Sequence, residues 1–191
     1  MIHRPSEFKP LDCLVTAGAI EEDLRRLASD LTEAQFHAPG SEGGWSVAYC
    51  VEHLVLAGRA FLAKWDLALK EVATHQLYSN GPFPYAWWQR IVLRVLEPPY
   101  SVKTKTTRAF MPYTRRSINE TTSHFWDMHR ELVRRIEVSA PANARRARVQ
   151  SPFVPWIWYP LGFSFDLALT HERRHLWQAW QVRQQFQNPK R

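Results

Sequence analysis

Residues 170–180 read THERRHLWQAW, and within them His171-Glu172-Arg173-Arg174-His175 spells H-E-x-x-H. On a helix this sets two imidazoles one turn apart on one face, the pair that zinc metalloproteases use, with the Glu as general base. The third ligand decides whether that chemistry applies, and such proteases place it downstream. The sixteen residues after His175, LWQAWQVRQQFQNPKR, contain no His, Asp, Glu or Cys. No upstream segment alternates as a substrate-binding β-sheet would. The protease reading fails, and the pair of ligands stands.

Outward from this pair, the pattern predicts a helix over about 163–187. His171 and His175 share its face with Leu167, Ala168, Gln178 and Val182, so that face looks into a core. Glu172 falls about 100° away, where a salt bridge in solvent suits it better than a role as base. Arg173 and Arg174 read as solvated. Three more segments have helical spacing. The first, about 11–31, carries Ile20, Leu24, Leu27 and Leu31, and a loop, TEAQFHAPGSEGG, follows it. The second starts at Ser46 as N-cap and runs to about His75. Its core stripe includes Val51, Leu54, Val55, Phe61 and Trp65, and Glu52, Arg59, Asp66 and Lys70 form its expected wet strip. The third spans about 117–138, with Ile118, Phe125, Leu132 and Ile136 inward.

Between the second and third lies a Pro- and aromatic-rich stretch, 76–116, with a short helix expected at 85–96 before Pro98-Pro99. A second Pro-rich loop precedes the last helix. The expected fold is all-α: one domain over 1–191, a four-helix bundle whose long crossover lets two consecutive helices run parallel.

Composition agrees with a globular helical protein. The 191 residues are 45% hydrophobic, with nine Trp and only seven Gly. The net charge of +7 gathers in the stretch after residue 140 and in the run from Lys103 to Arg116. No nucleic-acid recognition motif accompanies these charges, so they read as basic loops. Cys13 and Cys50 match no zinc or redox spacing, and the opening MIHRPSEFKP lacks the apolar core of a signal peptide. No apolar run is long enough to span a membrane. A reduced, cytoplasmic protein is the expectation.

Upstream, His53, His124 and His129 are available as a third ligand. His53 lies outside the wet strip of its helix, beside small Ala57 and Ala60, which leave room for an ion and a substrate.

At these residues the chain resembles a known family. GGWSVAYCVEHLVLAG is similar to the G-W-S-x(6)-H-L motif of the DinB-like four-helix-bundle metalloproteins, and THERRHLWQAW to their last-helix pattern H-E-R-R-H-L-x-Q. VPWIWYPLGFSF resembles the lead into that helix. The resemblance implies an up-down-down-up bundle holding one divalent metal, zinc or nickel, through His53, His171 and His175. It also implies transfer of a low-molecular-weight thiol to a small-molecule substrate, with hydrolysis as the other metal-dependent chemistry. A non-catalytic metal- or ligand-binding bundle is the alternative from a different class.

Trp45, Tyr49, Cys50, His129 and Gln178 are the candidates for lining a substrate pocket; no catalytic residue is assigned. For Cys50 a small buried thiol, for His129 a core hydrogen bond and for Trp45 packing at the start of the second helix are the plainer roles. Trp177 and Trp180 offer a second apolar face, which suits a homodimer.

Overall fold

The computed structural model describes residues 5–40, 43–99, 106–113 and 115–187. Its helices are α1 (Pro10–Ala28), α2 (Glu33–His37), α3 (Val47–Thr74), α4 (Trp87–Leu96), α5 (Ile118–Val138) and α6 (Leu161–Gln187). The helix starts follow local chemistry. Pro10 opens α1, where its missing N–H costs nothing. The Ser46 hydroxyl accepts the Tyr49 amide at 3.0 Å to cap α3. Ser117 and Glu120 form a capping box on α5.

The four long helices form the bundle, and α1 and α3 each pack against both α5 and α6. Side-chain pairs fix the directions. From α3 to α5, Glu52 accepts from Thr121 and Asp66 pairs with Arg135, so these helices run parallel. From α3 to α6, His53 meets His171 while Trp65 packs on Phe165, so these run antiparallel. From α1 to α6, Cys13 reaches Asp166 and Asp23 reaches Trp180, a parallel pair. The order is therefore up-down-down-up, and only a long connection such as 75–117 can return the chain to start α5 parallel to α3.

Two contacts show how closely the helices fit. A Cβ on Gly58 of α3 would stand 2.1 Å from the Met128 Sδ of α5. Any larger residue there would have to push the helices apart or displace Met128. At the far end of α1, Arg183 of α6 donates from Nη1 to the carbonyls of Arg26, Leu27 and Ser29 at 3.0, 2.6 and 2.5 Å. The buried guanidinium thus satisfies carbonyls that the end of a helix leaves unpaired.

The structure corrects the sequence reading in four places. The helix expected to reach Leu31 stops at Ala28, and Asp30 takes a left-handed φ of 58° just beyond it. The expected loop after it contains α2, whose Thr32–Gln35 capping box is the short start signal that pattern counting passed over. A two-stranded antiparallel ribbon, β1 (Arg148–Gln150) with β2 (Trp158–Pro160), leads into α6. Three residues per strand are too few to show alternation. Finally, Glu52 is not on a wet face: it is buried, held by Arg116 at 2.6 Å and by the Thr121 hydroxyl at 3.2 Å. Part of the basic run, residues 103–105 and 114, lies outside the described residues. Among those described, no helix is long and apolar enough to cross a membrane.

Candidate metal centre

Because α3 and α6 are antiparallel, His53 near the start of α3 comes level with the middle of α6. There it meets His171 and His175, and ligand atoms of the three rings lie within 4.8 Å of one another. The Nε2 atoms of His53 and His171 are 3.4 Å apart. Neighbouring acceptors set the tautomers. His53 donates from Nδ1 to the Phe110 carbonyl at 2.8 Å, and His175 donates from Nδ1 to the Gln178 Oε1 at 3.1 Å. Each therefore turns a bare Nε2 toward the centre. A tetrahedral zinc with nitrogen ligands places those nitrogens about 3.3 Å apart, close to the His53–His171 separation. The donor set fits a divalent transition metal, and among the described residues no carboxylate or thiol joins it.

Electrostatics keep these rings neutral. Burial lowers the pKa of His53. Burial first, then the His175, His53 and Arg174 charges, puts His171 well below the ordinary value. Burial also takes His175 down to about 3, with help from His53 and Arg174. Neutral imidazole is the form that binds metal, so no proton has to leave first.

Aromatic rings wall the centre. Trp45 stacks on His175 with ring centroids 5.4 Å apart and planes at 14°, and it meets His53 edge-on at 5.0 Å. Phe153 covers His171 from the other side at 5.6 Å. Beside the histidines opens a cavity of about 330 Å³, lined by Leu96, Phe110, Phe153, Val154, Leu167 and Arg174 among others. That volume is in the range of small-molecule sites.

The sequence-predicted pocket residues are placed as follows. Trp45 touches two of the histidines, Tyr49 packs on Trp45 at 4.6 Å, and Gln178 orients His175. Cys50 is fully enclosed in the core, where burial pushes its thiol up. His129 is also fully buried and does not line the cavity. Its Nε2 donates to the Ala17 carbonyl at 3.2 Å, and its Nδ1 lies 3.0 Å from Glu172 Oε2. His124 does not join the three-histidine group.

Three residues of the H-E-R-R-H stretch depart from the sequence expectation. Glu172 is buried and pairs with His129, not with a surface cation. Arg173 binds Glu97 at the end of α4. Arg174 is buried in the cavity wall. Charged side chains read as solvent-facing until their partners are known, and these partners lie 43 and 76 residues away in the chain. Phe110 and Phe153 were missed for a similar reason: both come from connections, and Phe110 contributes both its backbone oxygen to His53 and its ring, packed on Phe153 at 4.9 Å, to the cavity wall.

A bundle with parallel middle helices and three neutral imidazoles between α3 and α6 defines a helical protein equipped to hold one metal ion. The family model of the DinB superfamily matches residues 19–179, a stretch containing all three histidines. The chain belongs to that superfamily. Neither the curated proteins nor the solved structures offer a match.

Proposed function

We propose that the protein is a metal-dependent enzyme acting on a small molecule, with zinc or nickel held by His53, His171 and His175. The observation that carries this reading is the convergence of the ligand atoms of three imidazoles at the edge of a cavity. Three neutral ligands without a carboxylate leave open positions and the full charge of the ion, as in catalytic sites. An ion so held lowers the pKa of a thiol or water presented to it.

The chain's own residues do the rest. The Phe110 carbonyl and Gln178 hold the ring orientations, and Trp45 and Phe153 keep water from the flanks. Among the described residues no side chain at the centre is a ready nucleophile, since Cys50 is enclosed and burial pushes its thiol up. We therefore assign the nucleophile to a low-molecular-weight thiol cosubstrate, which makes the reaction a thiol transfer.

The test screens glutathione and bacterial low-molecular-weight thiols against epoxide and aromatic electrophiles, using metal-loaded, chelated and reloaded protein. Turnover should require metal and thiol together. Hydrolysis of an ester or amide without thiol would replace transfer by hydrolysis. Stoichiometric metal with no turnover of any substrate would favour a non-catalytic binding protein.

A further inference from the structure

Away from the histidines, α4 turns an apolar face outward. At about 100° per residue, Trp87, Trp88, Ile91, Val92 and Val95 fall within a sector of about 140°, and each of them is at least 36% exposed. Trp87 reaches 74%. The helix packs against α6 through the opposite side, where Gln89, Leu93 and Glu97 are buried and Arg173 of α6 binds Glu97. Five adjoining large apolar side chains make a patch on the order of several hundred Å², the size that marks an interaction site and not scattered surface residues. Arg90 and Arg94 run along one edge of it, and neither has an ion pair among the described residues. Glu97 is the only acid between residues 76 and 116, against seven Lys or Arg.

These features select the occupant. An apolar sector that contains Trp and is edged by arginines lets a helix lie in the boundary between water and an anionic bilayer. The indoles and aliphatic chains enter the headgroup region, and the guanidinium groups meet lipid phosphates. The helix is too short to span a bilayer, and lying flat requires no span. A second copy of α4 fits less well, because two such helices facing each other would present arginines on both sides and no exposed acid to either. We infer that the outer face of α4 is a membrane-docking surface, through which the protein lies on bilayers rich in anionic phospholipid. The inference does not depend on the three-histidine site, since none of these residues joins that group.

Vesicle binding by the full chain is the test. One set of vesicles is phosphatidylcholine alone, and the other is phosphatidylcholine with an equal part of phosphatidylglycerol. The unmodified chain should float with the anionic vesicles and partition into them about 10-fold or more better than into the neutral ones. Replacing Arg90 and Arg94 together by Gln should weaken that partitioning about 10-fold or more. Trp87→Ser with Ile91→Ser should also cost about 10-fold or more. Both positions are exposed, so this double variant should keep its helical circular dichroism and unfolding midpoint. Trp87→Phe keeps the apolar surface and should still bind, while losing part of the fluorescence quenching by lipids brominated high on their acyl chains. No partitioning into anionic vesicles would overturn the inference. So would partitioning that survives in Trp87→Ser with Ile91→Ser, because basic residues elsewhere on the chain would then hold the lipid. Quenching unchanged in Trp87→Phe would put this face away from the bilayer and overturn it as well. A dimer in sedimentation that is lost in the double Ser variant, with no vesicle bound by the unmodified chain, would give the face to a second copy instead.

Discussion

His175 and His129 have similar surroundings at first sight. Each is nearly or fully buried, and each lies under an aromatic ring at an interplanar angle of 14°, Trp45 for one and Phe125 for the other. They differ in what meets their nitrogens. His129 has an acceptor at both, the Glu172 carboxylate and the Ala17 carbonyl. Burial alone would drive its proton off, but the attraction and hydrogen bond of Glu172, with Glu21 and the Ala17 carbonyl, outweigh that, and its pKa is raised. His175 has an acceptor only at Nδ1, and the nearest charge acting on it is a cation. One is a structural strut whose two nitrogens both face acceptors and whose pKa is raised; the other has a nitrogen left for a ligand's role. Burial does not decide the role of a histidine here; the partner at its second nitrogen does.

The sharpest way to break this contrast is to remove the carboxylate. Glu172→Ala should destabilise the protein by about 3–5 kcal/mol, because it strands a buried imidazole without the carboxylate that pairs with it. Urea unfolding would measure this, and replacing both Glu172 and His129 by Leu should recover much of the loss. A cost below about 1 kcal/mol for the single variant would show that the pair is not charged.

The ligand face should respond the other way. His171→Ala or His175→Ala should weaken zinc or nickel binding by more than about 100-fold, beyond the usual loss from an outer partner. The metal-free fold should keep its unfolding midpoint, since a neutral ring packed among neutral rings is all that is lost. Full metal occupancy in either variant would break the ligand assignment. A smaller effect is expected at Gln178. Gln178→Ala frees the His175 ring to rotate and should lower affinity by about 10- to 100-fold without abolishing binding. An unchanged affinity would mean that packing against Trp45 alone orients the ring.

The smallest effect is in pH dependence, where the two kinds of histidine have opposite signs. In metal-free protein His53, His171 and His175 have folded pKa values below their unfolded ones. The unfolded chain therefore takes up protons first, and stability falls as pH drops below about 6.5. The His175 share of that loss continues down to about pH 3. His129 has a raised folded pKa, so its contribution is complete below about pH 6.5 and is lost as pH rises through the raised value. Each group can contribute a slope of up to about 1.4 kcal/mol per pH unit. His175→Ala should flatten the acid limb of a stability–pH curve, and His129→Leu with Glu172→Leu should remove the loss that sets in as pH rises past about 6.5. An acid limb unaffected by His175→Ala would put its ring in water.

Much of this contrast could not be read from the sequence, and the reason is physical. The helical spacing of Ile20, Leu24 and Leu27, the Ser46 cap and the three histidines are local patterns, and the bundle and the His53–His171–His175 group follow from them. Glu52 and Glu172 broke the pattern because a charge is assigned to solvent unless its partner is known. Arg116 and His129 become partners only once the helices are packed. The same holds for the cavity wall, since Phe153 and Arg174 line it together although one lies in a loop and the other reads as a surface residue.

The bond from His53 to Phe110 has a consequence for how this site can vary. The acceptor is a main-chain oxygen at the 3-10 turn Arg108–Phe110, so no side chain at position 110 is needed to hold it. A scan of single substitutions through residues 106–113 would leave this main-chain contact in place, and would register at Phe110 only the loss of its ring from the cavity wall. Deleting or inserting one residue between Thr107 and Phe110 would move the oxygen by the length of a peptide unit and leave the ring without its anchor. The anchor of the His53 ring is therefore set by the length of the turn at Arg108–Phe110, a constraint that appears in gaps and not in the choice of amino acid that carries the oxygen.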